Sequence, residues 1–293
     1  MILQVFKHYI ITRFNVRVDE WKHTKNNESV LTEDWLSHRF HLFQTYCLPS
    51  LINQENQKFT WLVFFDTSTD EEYRKTISAT SERFGNFKPI FINGYNEFLP
   101  TLIEYISNDL EGEEYVITSR VDNDDCIHRD FVNEIQNKFD RQENCVIDII
   151  DGYQIILNEN QSRQIVEIRR ARGYFNPFIS LIEKTPDLIT VMSQEHLNWR
   201  DTAHLITIGK KRLWGEIIHH KNKLNSIRPL ARPTKKIDSS AFALSKNNIE
   251  LNGTLKYLKN LTHVEYLRAY YLLRRNTPSG LKKTIRTLLK NHE

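Results

Sequence analysis

The chain predicts an α/β fold, a mostly parallel Rossmann-like central sheet flanked by helices and followed by a helical C-terminal extension. Three observations carry that expectation. Short β-branched and aromatic runs alternate with longer stretches of helical periodicity through the first half, the order that lays parallel strands beneath crossover helices. Two of the runs end in acidic residues, FTWLVFFD at 59–66 and YVITSRVDNDD at 115–125, and sheets of this kind bind ligands beyond the carboxyl ends of their strands. From Asn247 onward the pattern is helical, with Tyr257, Leu258, Leu261, Val264, Leu267, Tyr270 and Tyr271 on one face.

The first strand is expected over 6–14. Between 32 and 54 the residues Trp35, Leu36, Phe40, Phe43, Cys47, Leu48 and Leu51 recur at helical spacing, with Thr32 and Glu33 as the start and Pro49 ending or kinking the helix. The run 59–66 is a compact buried strand closed by Asp66. A polar helix over 70–84, a short strand over 89–92 and a helix over 97–110 lead to the 115–125 segment. A helix over 129–139 and a strand over 145–150 complete a β-α-β-α-β-α-β succession. Beyond it the pattern predicts a hairpin over 152–168, an irregular segment over 173–181, and a strand over 213–218 returning to the sheet. No internal repeat or low-complexity linker appears, so the expected division is one domain over 1–245 and the helical extension over 246–293.

Composition bounds the function. The chain has 293 residues, 40% of them hydrophobic, enough for one large core or two smaller ones. Forty Lys+Arg against 37 Asp+Glu leave a formal +3, too balanced to imply nucleic acid as a partner. Cys47, Cys126 and Cys145 are widely spaced and lack a C-x-x-C pair, which fits reduced core thiols in the cytoplasm. The start MILQVFKHYIITRF is interrupted by Lys7 and His8 and has no small-residue cleavage site, so no signal peptide is expected. Nor does any apolar stretch reach the roughly 20 residues of a membrane span.

The chemistry concentrates in TSRVDNDDC, 118–126. In extended backbone, side chains two apart share a side, so Asp122 and Asp124 are expected to face one ligand while Asn123 turns away. Two carboxylates held close favour a hard divalent cation, which relieves their repulsion. Asp125 is open between that role and capping the next helix. An EF-hand fails here, because its glycine and glutamate positions hold Ile127 and Asn133. A phosphatase of the haloacid dehalogenase class, with Asp122 as nucleophile, is the competing reading, although Cys126 departs from its motif.

Several segments together resemble one family, the bacterial rhamnosyltransferases within the GT-A nucleotide-sugar glycosyltransferases: ITRFNV (11–16), WLSHRFHLFQTYCLPSL (35–51), FTWLVFFDTST (59–69), TSRVDNDD (118–125), DGY (151–153), NPFIS (176–180) and WGEIIHHKN (214–222). The resemblance implies a GT-A fold in which a D-x-D pair holds Mn²⁺ or Mg²⁺ against the diphosphate of a nucleotide-sugar. Asp124 would then be the direct metal ligand, Asp122 would contact the ribose or a metal-bound water, and His219 would be a further ligand. His220 stands where the family pattern leads one to expect glycine, which leaves open which imidazole faces the site. The resemblance places Arg13 and Asp122 at the donor; Asp66 and Arg120 stand at neighbouring strand ends, and Arg39 lies beside apolar residues of the helical stretch, its stem packing while its head is open between the site and a carboxylate. Arg120 is open between binding phosphate and neutralising its aspartate neighbours, and Asp66 between nucleotide and loop cap.

An inverting transfer also needs a base for the acceptor hydroxyl. Glu195, His196 and Asp201 of SQEHLNWRD and Asp151 of DGY are the candidates by chain position. Trp199 and Trp214 are open between sugar stacking and ordinary core packing. The tail TPSGLKKTIRTLLKNHE is an amphipathic basic helix, open between anionic lipid, where a lipid-linked acceptor would lie, and its own domain. The expected function is therefore metal-dependent transfer of rhamnose or another deoxyhexose from a nucleoside diphosphate to a bacterial surface glycan, in the cytoplasm or at the inner face of the membrane. A protein that binds nucleotide-sugar or glycan without turnover is the alternative from a different class.

Overall fold

In the computed structural model, which describes residues 5–18, 32–158, 161–201, 204–222 and 225–276, the mixed α/β architecture is present. β1 (Phe6–Arg13) and β4 (Tyr115–Arg120) form the middle of a seven-stranded sheet. β2 (Thr60–Asp66) and β3 (Phe87–Ile92) continue it on one side, both parallel to β1. β3 is the edge strand, which explains how Pro89 sits within it: the missing N–H faces away from the ladder. On the other side come β9 (Ser180–Lys184), β6 (Cys145–Ile149) and β10 (His204–Ile208).

Two parts of this sheet differ from the sequence expectation. β9 runs antiparallel between β4 and β6, although 173–181 reads as irregular. Gly173, Asn176 and Pro177 give that segment its loop character, and the strand begins only at its end. The run 213–218 does form a strand, β11 (Trp214–Ile218), but not in this sheet. It lies in a second, five-stranded sheet ordered β12, β8, β7, β11, β5. The expected hairpin supplies β7 (Asp151–Asn158) and β8 (Gln161–Arg172), with β5 (Cys126–Ile127) and β12 (Arg232–Thr234) at the edges. Close backbone packing joins these strands: a Cβ on Gly215 would lie 2.7 Å from Cys126 Sγ, and one on Gly152 would lie 2.0 Å from the Trp214 ring.

α1 (Glu33–Leu42) begins as expected, with the Thr32 hydroxyl accepting from Trp35 N. Pro49 kinks rather than ends the helical stretch. A π-helical turn over Phe43–Cys47 feeds α2 (Leu48–Ile52), and the wider turn accommodates a residue that cannot donate. α3 (Glu71–Arg83), α4 (Phe98–Asp109) and α5 (Phe131–Gln136) are the remaining crossover helices. Buried faces of α1 with its following π-helical turn and of α4 cover opposite sides of the sheet, Phe40 and Phe43 joining the Trp61–Phe65 cluster and Leu102 and Ile106 joining the Tyr9–Phe64 cluster. α6 (Thr254–Asn276) meets β12 through a two-pronged Arg232–Glu265 pair at 2.6 and 2.8 Å. Val264 of its expected apolar face is fully buried, whereas Leu258 and Tyr271 each stay 47% exposed. The basic amphipathic stretch after Asn276 lies outside the described residues. Among the described residues, no helix is long and apolar enough to cross a membrane.

Candidate active site

The acidic segment is the crossing point between the two sheets. β4 ends the first sheet at Arg120, β5 begins the second at Cys126, and residues 122–125 turn between them, closed by Asp125 N donating to Asp122 O at 3.3 Å. A turn, unlike a strand, sends each side chain in its own direction. The expected pairing of Asp122 with Asp124 on one side is therefore not found.

Asp124 points inward, with 4% exposure. Its Oδ2 accepts from Arg39 Nη1 at 2.5 Å and lies 3.0 Å from His219 Nε2, with Asn222 Nδ2 farther off at 3.4 Å. Burial alone would raise its pKa, but Arg39 and then His219 hold the carboxyl well below the usual range. His219 lies at the end of β11, where Asn222 accepts from its backbone N–H at 2.7 Å. Its Nδ1 is 3.2 Å from Nε2 of His38 on α1. Geometry thus settles the histidine pair: His219 faces Asp124, while the His220 ring packs 5.2 Å from His38. Asn123 does not turn outward; it is buried, accepting from Arg39 Nη1 at 3.1 Å and donating to Phe14 O at 2.8 Å.

Asp125 is not a helix cap. Its Oδ1 accepts from Ile217 N at 2.8 Å and ties the turn to β11, while Oδ2 is buried without a hydrogen-bond partner. Burial first, then the charges of Asp124 and Asp122, push its pKa well above the ordinary value. A carboxyl in that setting is favoured in its neutral form.

Asp122 faces the other way, toward arginine. Its Oδ1 lies 3.3 Å from Arg120 Nε, and its side chain keeps 33% exposure. Arg120 Nη1 is in turn 3.5 Å from Glu195 Oε2. Parallel pairing puts Ile11 beside Arg120, so Arg13 emerges next to the same turn. The Arg13 guanidinium lies over the Tyr95 and Phe98 rings, 5.3 and 5.8 Å from their centroids. Burial first and the neighbouring charge of Arg120 second lower the Arg13 pKa. Two guanidiniums thus stand on adjacent strand ends with the Asp122 and Glu195 carboxylates beside them. His196 flanks it, with Nδ1 donating to Phe175 O and a pKa lowered chiefly by burial.

Other candidates stand elsewhere. Asp66 is 1% exposed and caps its own loop: it accepts from Ser68 N at 2.9 Å, Ser68 Oγ at 2.6 Å and Arg17 N at 3.1 Å. Asp151 binds Lys210 N at 2.9 Å at the start of β7. Because β7 and β11 run parallel, that is the end of the pair opposite His219. Asp201 is exposed at the end of the 3₁₀ turn His196–Asp201. Trp199 and Trp214 are core residues, 2% and 0% exposed, and Trp214 stacks on Phe178 at 5.2 Å, so neither offers a face to a sugar. His38 and Tyr95 were not foreseen as site residues; the only signal for His38 was its place in the WLSHRF segment.

A divalent cation does not fit this donor set as it is arranged. Asp124 Oδ2 already carries Arg39 and His219, while His219 Nε2 either donates to Asp124 or accepts from Asn222 Nδ2 and its Nδ1 meets His38. Asp122 is turned to Arg120. Among the described residues no group of three or more His, Cys, Asp or Glu converges in a way that could hold a metal ion.

A family model described as "Putative rhamnosyl transferase" matches residues 6–230, from the first strand through the arginine and histidine segments of the site. The chain belongs to this family. No curated protein matches it in sequence. Among solved structures, S. aureus TarS 1–349 is similar at TM-score 0.38 and 14% identity, over 72% of this chain and 60% of that one. Its complex with UDP-GlcNAc gives 0.41 and 13%, over 76% and 62%. The inositol-1-phosphate CTP transferase from T. maritima gives 0.35 and 16%, over 76% and 93%. This chain therefore spans 60–62% of the length of the TarS fragment.

Proposed function

We propose that this member of the rhamnosyl transferase family moves rhamnose or another deoxyhexose from a nucleoside-diphosphate donor to a bacterial surface glycan or a lipid-linked glycan, with inversion. The observation that carries this reading is the meeting of Arg13 and Arg120 on adjacent ends of β1 and β4, beside Asp122. Guanidinium forks match phosphate oxygens, and a diphosphate gains negative charge as the bond to the sugar breaks. Charge placed there in advance stabilises the transition state more than the bound donor.

The acceptor side is served by His196. Because a carbonyl only accepts, its bond to Phe175 O fixes the proton on Nδ1 and leaves Nε2 as the basic nitrogen. Glu195 is the weaker base, since Arg120 holds its carboxylate. In the proposed step the acceptor oxygen bonds to the anomeric carbon, the bond from that carbon to the diphosphate oxygen breaks, and the hydroxyl proton passes to His196 Nε2. No part of this step is routed through a metal ion. The expected setting is the cytoplasm or the inner face of the membrane.

Binding of a panel of nucleotide-sugars, followed by ligand-observed NMR, tests the donor half of the reading. Saturable binding that weakens on the order of 10-fold or more in Arg120→Gln is expected for loss of a charge-assisted phosphate contact. Equal binding by both proteins would remove Arg120 from the donor site.

A further inference from the structure

We infer that Arg39, rather than a divalent cation, is the resident positive partner of Asp124, and that the chain binds its donor diphosphate through arginine charge without a metal requirement. The inference rests on the nucleotide-sugar reading and concerns what supplies the positive charge.

Lone-pair accounting leads to it. Mg²⁺ needs several oxygen ligands at roughly 2.0–2.1 Å, and with Oδ2 approached by Arg39 Nη1 at 2.5 Å the Asp124 carboxylate would offer a cation Oδ1 alone. His219, the other expected ligand, has no exposed side-chain surface. If Nε2 carries its proton toward Asp124, Nδ1 must accept from His38 Nε2 at 3.2 Å, and neither nitrogen keeps a lone pair for a metal. Arg39 is itself built in. Its Nη1 is also shared with Asn123 Oδ1 at 3.1 Å, its guanidinium lies over the Trp35 ring at 5.2 Å, and the residue is 9% exposed. Breaking such a buried pair to admit an ion would strand a charge away from water. On the donor side the cationic groups are Arg13 and Arg120, and an incoming phosphate would displace Asp122 and Glu195 from Arg120.

The test compares the affinity of native protein for a nucleoside diphosphate in excess chelator and in excess Mn²⁺, alongside titration of Mn²⁺ alone followed by electron paramagnetic resonance. Equal nucleotide affinity within about twofold, and no saturable Mn²⁺ site, are the expected results. Nucleotide binding tightened ~10-fold or more by Mn²⁺ in native protein, with the gain lost in Asp124→Asn, would overturn the inference. If no nucleotide binds under either condition, the donor reading fails on its own. The resonance experiment still decides the Asp124 question, because a Mn²⁺ site in the native protein that Asp124→Asn abolishes overturns the assignment of Arg39.

Discussion

Asp124→Asn separates two physical descriptions of the acidic turn by the sign of its effect on stability. If the three aspartates were held in mutual repulsion awaiting a cation, removing one charge in chelator would stabilise the fold. With Asp124 paired to Arg39, the same change leaves a guanidinium that is 9% exposed, whose Nε already has no acceptor, without its carboxylate. Breaking a buried pair from one side costs about 3–5 kcal/mol, part of it offset here by relief of the repulsion on Asp125. At roughly 2 °C per kcal/mol for a chain of this size, the melting midpoint falls by up to about 6–10 °C, less what that relief returns. Linkage adds a check. The folded pKa of Asp124 is depressed, so its contribution is fully present above the unfolded value near ~3.9 and is lost as pH falls through the folded value. The deficit of the variant should therefore be full at neutral pH and shrink in strong acid. Thermal and urea denaturation in chelator measure it, and a variant at least as stable as the native protein would refute the ion-pair account.

Other outcomes follow from the same geometry. Gly152→Ala places a Cβ 2.0 Å from the Trp214 ring and should cost at least about 1–3 kcal/mol in urea denaturation, since Trp214 is pinned by Ile149 O and Phe178. Burial lifts Glu183 to about 7, against the opposing hydrogen bonds of Ile189 and Thr190, so the folded state binds this proton more tightly. Its stabilising contribution is present below the unfolded pKa and is lost as pH rises to about 7, and Glu183→Gln should flatten that decline in stability between pH 5 and 8. His196→Asn should lower kcat ~10²–10⁴-fold with little change in donor affinity. In native protein the acid limb of the rate should fall below the ordinary histidine value, because burial lowers the His196 pKa; loss of that limb in Glu195→Gln instead would move the base to Glu195.

The strands that carry chemistry were readable because each is a short apolar run ending in a polar residue at its carboxyl end. Arg13 and Arg120 could be placed at such ends from sequence, and parallel pairing then made them neighbours. Asp124 was legible as a site residue and Arg39 as a residue whose head reaches the site or a carboxylate, but not their pairing: Arg39 is 85 positions earlier in the chain, and periodicity on α1 does not say which carboxylate it meets. The alternation rule misjudged Asp122–Asp125 because it holds for extended backbone, whereas this segment turns between two sheets. β9 was hidden for a related reason, a short strand without alternation that follows a glycine, an asparagine and a proline. Asp66 and Asp151 share the look of site aspartates, yet Asp66 is held by the Ser68 and Arg17 N–H groups and Asp151 by the Lys210 N–H with Arg172 and Arg212 nearby, which no local pattern reveals.

The most direct test of the central claim is a product assay with each nucleotide-sugar of a panel and a lipid-linked or soluble glycan acceptor, following nucleoside diphosphate by chromatography and the glycoside by mass spectrometry. The account predicts equimolar nucleoside diphosphate and glycoside, both lost in Arg120→Gln. Release of inorganic phosphate with a phosphorylated Asp122 and no glycoside would contradict it.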